Sequence, residues 1–224
     1  MNLTSIIKIL LIFFLGFAQT ITAQNDEDLA REIDDKSKSD KPYKSAIISY
    51  GVYKPYTTNK SFIGKGTKGD VGFKLGAQLF IYKRFFIGTF LSASFIDVTD
   101  SNLTGDYNRS QITSAYLEIG YEFSILEKLN LGLSIAPIGI ANYRNDIRDG
   151  RVKQQNDTAN VTIYQAYLSY NFAGNFSVFI DYSFRSDKTK IKTASEIQDE
   201  FDTIQYHNIG LGLKFSIGKK AMVN

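Results

Sequence analysis

At 224 residues, with 26 Lys and Arg against 23 Asp and Glu and a formal charge of +3, the chain is too evenly charged to argue for nucleic acid. It has no cysteine, which excludes disulfide stapling, thiolate metal sites and a cysteine-linked lipid anchor. Seventeen Gly, 14% aromatic residues and only 3 Pro suit strands and turns better than helices.

In chain order, residues 1–23 read as a secretory signal. Lys8 precedes an apolar run, Ile9 to Ala18, and a small-residue stretch ends in Ala23. The run is about 10 residues, half of the roughly 20 that a helix needs to cross a hydrocarbon core. The expectation is cleavage after Ala23 rather than a membrane anchor. Removing Lys8 with the signal leaves a charge of about +2. Residues 24–42, QNDEDLAREIDDKSKSDKP, are dense in charge and too poor in apolar side chains to bury a core. They are expected to form a flexible charged leader on the periplasmic side.

From 43 to 218 the pattern changes to eight segments that alternate with a period of two. The clearest runs from Thr113 to Phe123, with Ala115, Leu117, Ile119, Tyr121 and Phe123 on one face and Ser114, Tyr116, Glu118, Gly120 and Glu122 on the other. Its length matches the 9 to 11 tilted residues of a membrane-spanning strand. The other seven centre on Ile48, Leu75, Ile87, Leu133, Ala166, Ile180 and Leu211. In the fifth, Pro137 removes a ladder donor, so a bulge or register shift is expected there. Residues 219–224 are left as a short tail.

Connections two–three, four–five and six–seven are tight, at Tyr82-Lys83-Arg84, Leu126-Glu127-Lys128 and Ala173-Gly174-Asn175. The other four are long and polar, roughly 57–69, 100–109, 145–160 and 186–203. Strict alternation of short and long connections is the signature of a barrel with short periplasmic turns and long outer loops. Tyr82, Phe85, Phe123, Phe172, Phe176 and Phe215 cluster near the tight turns, as an aromatic girdle at one interface would. A soluble barrel would also alternate, but with its apolar face inward. The prediction is therefore an all-β, eight-stranded antiparallel up-and-down transmembrane β-barrel, with both termini periplasmic.

The signal, the eight segments, the alternating loops and a last strand reading NIGLGLKFSI (208–217) resemble small outer-membrane β-barrels of the OmpA-like transmembrane type, over about residues 43–218. Such barrels often end on an aromatic residue that the assembly machinery reads, whereas here nine residues follow Phe215. The resemblance implies a place in the cell outer membrane of a Gram-negative organism, contact with its lipid and lipopolysaccharide, and handling by the barrel assembly machinery. The residues themselves point to a non-enzymatic protein without a cofactor, with a periplasmic or surface protein as partner. Some small barrels of this kind, the PorT-like ones, serve a secretion system.

Six charged residues fall on the inner face: Lys74, Glu118, Glu122, Asp181, Arg185 and Lys214. Buried charges must be paired, so this balanced set is predicted to form a salt-bridge network in the lumen. Glu118 and Glu122, which share a face, are read as part of that network rather than as an acid/base pair. Tyr53, Phe80, Tyr82, Tyr116, Tyr167 and Phe179 are expected to point inward and close the lumen to solutes, against the alternative of a narrow channel.

His207 is the only histidine and lies in phase with the lipid side. With Asp202 and Ser186 nearby it would supply the other alternative, an outer-membrane lipid-modifying enzyme or protease. One His and no Cys give no metal-ligand spacing. Asp97, Asp100 and Asp106 fit no calcium-loop motif, and GKGTKGD at 64–70 lacks the spacing of a phosphate-binding loop. Arg144, Arg148, Arg151 and Lys153, in or beside the loop at 145–160, form a basic set that could meet lipopolysaccharide or an acidic partner. Variable loops on a rigid scaffold are where barrels keep binding sites. The leading functional reading is thus a structural or partner-binding role through these loops or the leader.

Overall fold

The computed structural model describes residues 44–148 and 153–218. The predicted signal (1–23), leader (24–42) and tail (219–224) lie outside them, as does Arg151. The chain folds into eight strands, β1 (Ala46–Thr57), β2 (Thr67–Tyr82), β3 (Phe85–Val98), β4 (Tyr107–Leu126), β5 (Leu129–Ile147), β6 (Gln154–Ala173), β7 (Phe176–Thr189) and β8 (Thr203–Ile217). Each pairs antiparallel with the next, and β1 pairs with β8 over twelve positions, from Ala46 opposite Ile217 to Thr57 opposite Tyr206. The sheet is a closed barrel, so no strand edge is left unpaired. Three one-turn helices sit in the long loops: α1 (Phe62–Lys65), α2 (Ser101–Thr104) and α3 (Asp199–Asp202). GKGTKGD falls across the end of α1 and the start of β2.

Period-two alternation is realised along the wall. Ile48, Leu75, Leu91, Leu117, Leu133, Ile180, Leu211 and Leu213 are exposed on the outside, and their chain neighbours face the lumen. The tight turns use left-handed backbone at Lys83 (φ 50°) and Gly174 (φ 51°), which reverses a strand within two residues. At Pro137 the β5–β6 register shifts between Ala136 and Ile140. This is where a residue without an amide donor leaves the ladder.

Two boundaries differ from expectation. β5 continues to Ile147 and β6 begins at Gln154, so the loop read as 145–160 shrinks to 148–153. β7 runs to Thr189, so the loop read as 186–203 shrinks to 190–202. In these extensions the outward residues, such as Thr158 and Asn160, are polar, while the inward Ala159 and Val161 are apolar and buried. The strand persists but its polarity is reversed, which reads as loop when an apolar outer face is sought. Tyr82 also departs from expectation: it is 50% exposed, because a register shift between Phe80 and Tyr82 turns it outward.

Aromatic rings fill the lumen by lying over inward glycines. A Cβ on Gly132 would come within 1.9 Å of the Tyr167 ring, and one on Gly76 within 2.1 Å of Phe90. An eight-stranded barrel has room for side chains and little more, so each large ring needs a neighbour with none.

Candidate functional site: the lumen and the loop end

The inward phase of four strands (β2, β4, β7 and β8), together with Lys44 just before β1, carries eight buried charged residues. Four are basic (Lys44, Lys74, Arg185, Lys214) and four acidic (Glu118, Glu122, Asp181, Asp187), so the described interior is neutral overall. Of the six predicted residues, the structure pairs two with each other: Lys74 donates to Asp181 in a fully buried ion pair. Glu122 instead meets Lys44 at 3.0 Å and accepts from the Tyr167 hydroxyl at 2.8 Å. Arg185 grips Asp187 with Nε and Nη2, both at 2.7 Å, and donates from Nη1 to Ser114 at 3.0 Å.

Glu118 accepts from the neutral donors Gln78 (2.8 Å) and Ser134 (3.1 Å). Lys214 has no hydrogen-bond partner among the described residues. Its Nζ sits 3.1 Å from the Tyr167 ring centroid and 5.5 Å from that of Phe179, so ring faces contribute to its stabilisation. Glu118 and Glu122 therefore hold different partners rather than sharing one proton site.

Tyr53, Phe80, Tyr116, Tyr167 and Phe179 are buried around this network. A cavity of about 10 Å³ lies beside the Lys74 and Arg185 side chains. One water needs roughly that much.

Nearer the loops the interior becomes apolar. Ile96, Ile112, Ala141, Ala159, Val161, Ile204, Tyr143 and Tyr206 pack together, with Ile63 of α1 against them. Tyr143 and Tyr206 close the floor of this cluster, their hydroxyls 3.1 Å apart and Tyr143 donating to Asp187. Above it Phe62 and Phe201 meet edge to face at 5.6 Å, and Lys65 pairs with Glu200 at 3.3 Å, tying α1 to α3. A second cavity, of about 80 Å³, lies between the cluster and this cover.

The basic set does not form one patch. Arg144 is on the outer face of β5, with Asp146 at 3.7 Å. Arg148 donates to Asn108 at 2.9 Å and has Asp106 at 3.8 Å. Lys153 is exposed in the loop. The acidic trio is also dispersed: Asp97 meets Arg109 (3.4 Å), and Asp100 caps α2 by accepting from the Asn102 amide (3.0 Å). No cluster of metal-binding side chains occurs among the described residues. His207 faces outward on β8, its Nδ1 2.6 Å from the Tyr182 hydroxyl and its ring against Phe184. Asp202 instead accepts from Gln198 at 2.7 Å, so the structure does not bring it to the histidine.

No protein-family model matches the chain, and no curated protein does. Solved structures do. Neisserial surface protein A is 10% identical with a TM-score of 0.59, over 77% of this chain and 97% of that one. OprG, an outer membrane protein of Pseudomonas aeruginosa, is 10% identical with a TM-score of 0.48, over 80% and 99%. Ail of Yersinia pestis, solved with the heparin analogue sucrose octasulfate, is 15% identical with a TM-score of 0.47, over 78% and 99%. With its closed ring of eight antiparallel strands and its apolar outer wall, the chain has the fold of the eight-stranded outer-membrane β-barrels.

Proposed function

We propose that the protein is a solute-tight, non-enzymatic barrel of the outer membrane that holds its folded loop end outside the cell for a partner to bind. The observation that carries this reading is the filled lumen. Eight buried charges and nine buried aromatic side chains occupy the space a channel would need. The catalytic alternative draws no support from His207, whose ring is engaged by Tyr182 and Phe184 on the outer wall.

In this reading residues 1–23 are removed on export, residues 24–42 remain periplasmic, and both termini lie on the tight-turn side. The exposed Arg144, Arg148 and Lys153, with Arg151, meet an anionic surface, either lipopolysaccharide or an acidic protein. The test has two arms. Purified protein in planar bilayers should give no steady conductance of porin size. A photo-crosslinker at Lys153 in intact cells should capture a partner that is lost when Arg144, Arg148 and Arg151 are changed to Gln and kept when residues 24–42 are deleted. Large, regular conductance steps would replace the reading with a transport function.

A further inference from the structure

The cavity at the loop end has an uneven lining. Ile63, Ile112, Phe201 and Tyr206 contribute apolar and aromatic surface, and Asp157 contributes a carboxylate. Asp157 is half-buried on the inward phase of β6. Its carboxylate accepts only from amides: Asn145 Nδ2 at 2.9 Å and Gln155 Nε2 at 3.3 Å. Among the described residues no Lys or Arg forms an ion pair with it. Carboxylates removed from water are normally paired with a cation, because neutral donors replace hydration only in part. Among the described residues, every other acidic side chain of the barrel interior either has a basic partner or, like Glu118, is buried with two hydrogen-bond donors on its carboxylate.

Asp157 differs in having a cavity in front of it. Burial, and then the Asp157 charge, raise the pKa of the adjacent Tyr107 above its ordinary value. Tyr107 therefore stays a neutral phenol, donating to Gln155 at 2.7 Å. The wall thus offers a negative charge, aromatic faces and apolar surface together, which is the complement of a cation on an apolar body.

We propose that this cavity is a binding site for a small organic ammonium ion, its charged nitrogen on the Asp157 carboxylate and its apolar body against Ile112, Phe201 and Tyr206. The volume of about 80 Å³ sets the size at about five to eight non-hydrogen atoms, since one water takes roughly 10–15 Å³ by the same measure. The occupant enters from the loop side, because Tyr143 and Tyr206 seal the floor toward the ion network.

The test is ligand-detected NMR titration of the full chain in detergent micelles, with the fold checked by heat-dependent gel migration. n-Pentylammonium is the probe and 1-pentanol its neutral counterpart. The expected result is saturable binding of n-pentylammonium, with 1-pentanol at least tenfold weaker. Asp157→Asn keeps the shape of the wall and should weaken the ammonium at least tenfold while leaving pentanol unchanged. Val98→Phe, which fills the cavity from β3, should abolish both. If either variant fails to fold, the ratio of the two probes on the unaltered chain still decides. Equal affinity for the two probes, or no saturable binding of n-pentylammonium, overturns the proposal. Neither result bears on the closed lumen or the outer basic residues.

Discussion

One strand, β6, passes through two regions built by opposite rules. Toward the tight turn, Tyr164, Tyr170 and Phe172 face outward and are about half exposed, while Gln165 and Ser169 are buried inside. Toward the loops, Thr158 and Asn160 face outward and Ala159, Val161 and Ile163 are buried inside. The backbone ladder runs on unbroken from Ala159 to Asn171 against β7. What changes is the solvent each face must meet. A barrel wall in lipid puts apolar atoms out and must pair every polar group within, whereas a wall in water does the reverse. The lower region is thus held by lipid contact and an ion network, and the upper collar by an ordinary hydrophobic core.

That contrast can be broken from each side. The largest effect belongs to the lumen network: Asp181→Asn leaves the Lys74 charge buried without its partner, at a cost of about 3–5 kcal/mol. The double change Lys74→Met with Asp181→Leu should recover most of it, read as the urea midpoint in lipid vesicles. Next comes the lipid face. Leu75→Arg, near the middle of the apolar stretch of β2, should destabilise by about 2–4 kcal/mol, whereas Thr158→Arg on the outer face of the collar should change stability by less than about 0.5 kcal/mol. Equal effects at the two sites would mean that both faces meet the same solvent.

Ile204→Ala tests the collar core. It should cost about 2 kcal/mol, the low end for such a truncation, because the 80 Å³ cavity already adjoins this side chain. The smallest effect is Arg109→Ala. Arg109 pairs with Asp70 at 2.7 Å on the outside of the collar, where all three of Arg109, Asp70 and Asp97 are solvated. Its loss should cost under about 1 kcal/mol and become undetectable at high salt.

The lower region was the legible one. Ala115, Leu117, Ile119, Tyr121 and Phe123 announce a lipid-facing strand by alternation alone, and Pro137 marks its own irregularity. The collar was not, because Asn156, Thr158 and Asn160 on the outside of β6 have the composition of a loop. That misreading carried a site residue with it. Asp187 fell into the supposed loop, although Arg185 and Asp187, two apart on one strand, share the inward face and pair there. Continuing the alternation two residues past Arg185 finds it. Lys44 had no such signal. It precedes the first strand, and only the closed ring places it beside Glu122. Lys214 was placed in the lumen correctly by phase, but its seat on the Tyr167 ring depends on Gly132, three strands away in sequence order, leaving room for that ring.

The change of solvent along the wall is the central claim, and a nitroxide walk tests it most directly. The chain has no cysteine, so single cysteines can be placed and spin-labelled at the outward positions of β6, from Tyr170 through Leu168, Ala166, Tyr164, Thr162 and Asn160 to Thr158. In lipid vesicles, collisions with oxygen should dominate from Tyr170 to Tyr164, and collisions with a water-soluble nickel complex should dominate at Asn160 and Thr158, with the crossover at Thr162. Nickel accessibility at all seven positions would contradict the account, since it would put the whole outer wall in water.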